Sequence, residues 1–297
     1  MLIVVLLGLG AAAVYGASDF FGAFAARRLN LVTATMFNYA VATVVILIAL
    51  PLVGGTWSSG AVWSGIVTGV LAVVGLLAFY GVLAIGPMSL LSPLIALIQS
   101  VVPVTISVIT GQPLSPLAWT AIGIAIVALV LLSPPRRRGH ERISPRGAVL
   151  AVFSGLMLGI SLVTLDASPH DSGLIPAVGE IIVGLVVLAI IWGVLRLAPA
   201  RGGSLAFLQP GEDAVRSLSA RRAWTAAAAS GLLTGVADAF IVLGLHIGNL
   251  AVVSVLVALY PVVTIILAAT VLRERMTKLQ VLGILLVIAA SLLLSAA

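Results

Sequence analysis

Cysteine is missing from all 297 residues, which excludes disulfides, thiolate metal sites and thiol chemistry. Charge is nearly missing as well: 8% of residues are charged and 62% are apolar, whereas a water-soluble domain is about a quarter charged. So little polar surface cannot clothe a core against water. Signatures of catalysis and of nucleotide use are wanting too, with no H-E-x-x-H, no G-x-S-x-G, no Asp-rich metal motif and no ATP-binding loop. No cofactor and no metal is therefore expected. Asp166, His170 and Asp171 form the one polar cluster, but two acids with one histidine make a poor zinc site. The net charge of +6 could suggest nucleic acid, yet the bases sit in short loops instead of a stripe interleaved with aromatics. Nucleic acid is not an expected partner.

What the chain does have is one apolar run after another, each about long enough to cross the ~30 Å of hydrocarbon in a bilayer. Bounded by Gly, Pro, Ser and charge, these runs predict helices near residues 2–26, 31–53, 60–85, 90–110 and 115–133. A second set is predicted near 148–165, 173–197, 224–246, 249–272 and 277–296. The first run lacks a basic leader region and is too long for a signal peptide, so it reads as a mature helix. The fold class is all-α: a polytopic membrane protein with about ten transmembrane helices, whose partners include membrane lipids.

The two sets match each other. Ser64-Gly65-Ile66-Val67-Thr68-Gly69-Val70 mirrors Ser230-Gly231-Leu232-Leu233-Thr234-Gly235-Val236, and residues 86–133 align without gaps on 248–295. Ser92 then pairs with Ser254, Leu94 with Leu256 and Ala96 with Ala258. The organisation expected is a first five-helix repeat over 1–133, a basic cytoplasmic linker over 134–147 and a second repeat over 148–297.

A repeat with an odd number of spans places equivalent loops on opposite sides of the membrane, so their charges should invert. They do: Arg27 and Arg28 follow the first helix, while the equivalent stretch after the sixth, 166–171, is acidic. Gly111 to Pro116 is uncharged, and its counterpart Arg273 to Lys278 is basic. With ten spans, all 15 Lys and Arg fall on one side, after the first, fifth, seventh and ninth helices. The positive-inside rule makes that side cytoplasmic, in a cell inner (plasma) membrane, with both termini outward.

The chain resembles the EamA-like carriers of the drug/metabolite transporter superfamily. The resemblance rests on Tyr15-Gly16-Ala17-Ser18-Asp19-Phe20, on Ser254 to Thr264 with its Leu259-Tyr260-Pro261 centre, and on Leu272 to Thr277 ahead of Leu279 to Gly283. It implies ten helices and export of amino acids, metabolites or toxic compounds, without naming a cargo. Gln112 stands where the first repeat of relatives usually has a loop Glu, and Asn38 and Glu180 where relatives often carry Arg. Familiar members tend to have cytoplasmic termini, opposite to the charge reading.

A carrier needs polar groups inside the bilayer, where an unpaired charge costs at least ~2.5–3.5 kcal/mol. Three acids qualify: Asp19, eight residues before Arg27; Glu180, about seven residues into the seventh helix; and Asp238, past the middle of the eighth. Each is a candidate to bind substrate or a coupling proton; the alternative is an acid tied to neighbouring hydroxyls. Asn38, Gln99, Tyr80, Tyr260 and His246 are neutral candidates to line a cavity between the halves, against the commoner fate of interhelical hydrogen bonding. Gln99 and Tyr260 stand one position apart in the repeat alignment, on helices interrupted by Pro93, Pro103 and Pro261. Gly65 with Gly69, Gly155 with Gly159 and Gly231 with Gly235 form small-xxx-small packing faces, within the chain or in a homodimer. Trp57, Trp63, Trp192 and Trp224 fit an interfacial belt.

The expected function is secondary transport of a small-molecule substrate by alternating access, powered by an ion or substrate gradient, with protons the expected coupling ion. A membrane-embedded enzyme acting on lipid or polyprenyl substrates, and a non-transporting scaffold, are the alternatives.

Overall fold

The computed structural model describes residues 1–26, 28–29, 31–85, 88–132, 145–197, 219–271, 273 and 276–296, with side chains except at 80, 83–85, 88–93 and 195–197. Among these residues the chain is α-helical, with eleven helices and one short 3-10 turn. They are α1 (Leu2–Ala26), α2 (Leu31–Val53), α3 (Ser59–Ile85), α4 (Met88–Ile109), α5 (Pro116–Leu132), α6 (Pro145–Asp166), α7 (Ile175–Leu197), α8 (Ala220–Ile247), α9 (Leu250–Val257), α10 (Pro261–Val271) and α11 (Lys278–Ala296). Among the described residues eight spans are long and apolar enough to cross a membrane, with α9 and α10 counted as one, and Leu94–Ile109 and Pro116–Leu132 are shorter apolar stretches. The chain is a multi-pass membrane protein.

The predicted spans fall within a few residues of the helices; α8 starts early, at Ala220, and two further differences are informative. α6 starts at Pro145, so Pro145 to Gly147, read as linker, form its first turn. Proline suits that position because the first helical N–H has no partner within the helix anyway. The ninth predicted helix is two helices, parted at Ala258 to Tyr260. Pro261 has no N–H to give the carbonyl of Val257, which accepts from Tyr260 at 3.1 Å instead; Leu259 likewise donates to Leu256 and Val262 to Leu259. The turn tightens and the helix breaks. No such break follows from Pro103, through which α4 runs without interruption, nor from Pro93, whose side chain lies outside the described residues. The carbonyl that Pro103 leaves without its helical donor is that of Gln99, which abuts Gly159 of α6.

The packing repeats itself when α1 to α5 are exchanged for α6, α7, α8, the α9–α10 pair and α11. α1 packs on α8 as α6 packs on α3, and α2 packs on α8 as α7 packs on α3. α4 packs on α6 as α9 and α10 pack on α1, while α2 with α7 and α5 with α11 are self-paired. Glycine stripes make the close contacts. A Cβ on Gly65 would lie 2.6 Å from the Pro176 carbonyl oxygen, and one on Gly231 2.5 Å from that of Asn38, so matching stripes on α3 and α8 seat α7 and α2. Gly155 and Gly159 seat α4 in the same way. All three small-residue faces are used inside the chain.

The four loops 54–58, 110–115, 167–174 and 248–249 meet at one end of the bundle. The Thr56 N–H donates to the Asp171 carbonyl at 2.9 Å, and the Leu250 N–H to Gln112 Oε1 at 3.3 Å. Val4 lies against Gly248, so the N-terminal turn of α1 is at this end too. Gln280 Nε2, in the first turn of α11, donates to the Leu132 carbonyl at the close of α5, at the opposite end. Residues 111–116 and 276–278 thus lie at opposite ends of the bundle, the acidic and the basic end by the charge of their loops.

Candidate functional site

The site is built where α1, α2, α7, α8 and the α9–α10 break converge. Tyr15 and Asp19 are four residues apart on α1 and therefore share a face. Tyr260, at the break, stacks obliquely on Tyr15 with ring centroids 5.9 Å apart, and its own carbonyl presses on Gly16. Only glycine allows that approach, which Thr264 Oγ1 reinforces by donating to the Gly16 carbonyl at 3.0 Å. Across the site, Glu180 of α7 lies against Gly69 of α3, and Tyr39 of α2 rests on Gly184 one turn further along α7. Tyr15 lies within electrostatic reach of Asp19, Tyr39, Glu180 and Asp238, and Tyr260 within reach of Asp19.

Two acids are unusual in what they lack. Glu180 Oε2 is buried and has no hydrogen-bond partner, the single such side-chain atom among the described residues. Asp238 is 7% exposed, is close enough to Glu180 for their charges to interact, and is not tied down by any ion pair among the described residues. Native interiors satisfy the great majority of buried polar atoms, so a buried bare carboxylate oxygen calls for a proton or a cation.

Beside the acids runs a closed hydroxyl knot that ties α1, α2 and α8 together. Ser18 Oγ donates to the Ser230 carbonyl and Ser230 Oγ to the Ser18 carbonyl, each at 2.9 Å. Asn38 Nδ2 donates to Ser230 Oγ at 2.7 Å and Thr234 Oγ1 at 3.1 Å, matching its two N–H groups to two hydroxyl acceptors. Both amide N–H groups of Asn38 are thus engaged in helix packing. Thr68 Oγ1 and Thr164 Oγ1, 2.8 Å apart, make the corresponding tie between α3 and α6.

Accessibility is graded along the bundle. On the α1 face that holds the acid, Ala12 is buried, Tyr15 half-buried, and Asp19 and Ala23 exposed, so this face opens toward the basic end. The same gradient runs through the broken helix, since all of α9 is buried and none of α10 is. At the acidic end the loops are clasped: Thr56 Oγ1 donates to Asp171 Oδ2, and Ser168 Oγ lies 3.0 Å from His246 Nε2. The His170 and His246 rings meet edge to face at 5.9 Å. Ser107 Oγ donates to Gln112 Oε1 at 3.0 Å and Asn249 Oδ1 at 3.1 Å.

Of the residues singled out in the sequence, Asp19, Glu180, Asp238 and Tyr260 are brought together. His246 is not; it lies two turns beyond Asp238, about 12 Å along α8, in the clasp. Gln99 is half-buried on α4 with its carbonyl against α6, and the side chain of Tyr80 lies outside the described residues. Tyr15, Tyr39, Ser18, Ser230 and Thr234 were not anticipated as site residues. The spacing of Tyr15 from Asp19 was the available signal for the first.

This arrangement can be set against known proteins. The model of the EamA-like transporter family matches residues 145–296, over half of the chain. The chain belongs to the EamA-like transporter family. As an EamA-like protein it is a membrane transporter of the drug/metabolite type. One solved crystal structure shares the EamA-like fold seen here with a TM-score of 0.70 at 14% identity, covering 99% of this chain and 96% of that one. No curated protein matches the sequence.

Proposed function

We propose that this EamA-like protein is a secondary carrier that moves a small molecule across the cell's inner membrane by alternating access of two inverted five-helix halves, residues 1–133 and 148–297. The observation that carries this reading is Glu180 Oε2, a buried bare carboxylate oxygen at the junction of the two sets of helices. Such an atom is a liability in a scaffold and an asset in a carrier, where a proton or substrate occupies it in turn. The exchange pattern of helix contacts supports the two halves, and the graded packing supports a state closed at the acidic end and open toward the basic end.

In this reading the basic loops are cytoplasmic and the termini outward, by loop charge. The state described then faces the cytoplasm and takes up cargo for export, the direction the family resemblance favours. Asp19, Glu180 and Asp238 bind substrate and couple its movement to protons, and Tyr15 and Tyr260 line the same site.

The test is flux. Purified protein in vesicles is screened against pooled metabolites under an imposed pH gradient, and the screen is repeated with Glu180→Gln and Asp19→Asn. Gradient-driven flux that falls at least tenfold in the variants is expected. Flux indifferent to both changes removes the coupling role, and absence of flux for every pool contradicts the carrier reading.

A further inference from the structure

Resting on the carrier reading, we infer that the cargo is an organic cation, an alkylated or protonated amine whose charge sits between Glu180 and Asp238 and whose apolar body lies against Tyr15 and Tyr260. The charge inventory points this way. By sequence position every one of the 15 Lys and Arg falls outside the helices or within the first or last turn of one, so among the described residues the deep part of the bundle contains carboxylates and no Lys or Arg. A carrier for an anion or for a carboxylate-bearing metabolite would set that charge against three acids, a repulsion unrelieved where water is scarce.

Geometry adds a second, independent argument. Asp238 is buried, Glu180 Oε2 has no hydrogen-bond partner, and neither acid forms an ion pair among the described residues. The Tyr15 and Tyr260 rings, tilted by 58° at 5.9 Å, form an aromatic corner in which Tyr15 lies within reach of both acids and Tyr260 within reach of Asp19. Aromatic faces attract cations most strongly when both are out of water, and quaternary ammonium groups are the ligands such corners hold best. The serine and threonine hydroxyls nearby are spent on each other and on Asn38, which leaves the tyrosine hydroxyls as the neutral donors of the site. Asp19, exposed on the face that opens toward the basic end, draws the cation inward first.

The experiment is calorimetric titration of the full chain in lipid nanodiscs with three probes of similar size: phenethyltrimethylammonium, 3-phenylpropan-1-ol and 3-phenylpropionate, each corrected with empty nanodiscs. Saturable binding of the cation alone is expected, weakened at least tenfold in both Glu180→Gln and Asp238→Asn. Either variant, shown folded by its melting curve, suffices for the comparison. Absence of saturable cation binding, equal binding of the alcohol or the anion, or unchanged cation affinity in the variants overturns the inference. The vesicle screen separates the two claims: flux of neutral or anionic metabolites without cations refutes the cation site and leaves the carrier standing, whereas no flux at all refutes the carrier.

Discussion

At the level of single residues, the deep acids and the hydroxyl knot make opposite predictions. Removing a buried charge that lacks a partner relieves the fold, so Glu180→Gln should melt at the same temperature or higher while losing most flux. Removing Asn38 strips two hydroxyls of their donor, so Asn38→Ala should cost about 1–3 kcal/mol and lower the melting temperature. Cargo affinity should hold in Asn38→Ala, because its amide is engaged with α8. Parallel melting curves and titrations of the two variants check both statements. The acids were legible in the sequence because a carboxylate inside an apolar run has few inexpensive explanations. Hydroxyls have many, since Ser and Thr commonly bond back to their own helix, and nothing in the chain distinguishes Ser18 or Thr234 from Ser100, whose Oγ simply donates to the Ala96 carbonyl. Which hydroxyls meet depends on how two helices are rotated against each other, and spacing along one helix does not give that.

At the level of elements, the broken helix and the clasp are the parts that could move. Pro261 cannot donate to the Val257 carbonyl, and the helix parts there into a fully buried α9 and a less buried α10. Pro261→Ala restores the N–H, so we expect a higher melting temperature with turnover reduced several-fold, measured by the same vesicle flux. The clasp can be trapped outright. Thr56 and Asp171 are joined by a backbone hydrogen bond and by their side chains, and the chain has no cysteine to interfere. Oxidised Thr56→Cys/Asp171→Cys should stop turnover and reducing agent should restore it; unimpaired flux in the oxidised protein would show that this end need not open. The glycine stripes test the packing directly, because Gly65→Leu drives a side chain into the Pro176 carbonyl and should destabilise by about 1–3 kcal/mol. Helix positions were legible to a few residues, as apolar length and terminal punctuation are properties of the local sequence. The break at Pro261 and the continuity through Pro103 were not separable, since a proline within an apolar run reads the same in both places.

At the level of the whole molecule, loop charge and the internal match between residues 86–133 and 248–295 point to one arrangement, in which equivalent loops lie at opposite ends. The folded chain places Gln112 beside Leu250 and Gln280 beside Leu132, which are those opposite ends. Composition could convey that much because the bilayer leaves so few ways to satisfy a backbone. The convergence of α1, α7 and α8 around the acids could not be read in advance, because it depends on contacts between residues more than 200 apart. The central claim is that two oppositely oriented halves enclose a polar site in the membrane, and it is tested most directly by impermeant maleimide labelling of single cysteines placed at Gln112 and Met276. The account predicts that Gln112→Cys is labelled in intact cells and Met276→Cys only after the membrane is opened; labelling of both from the same face would contradict it.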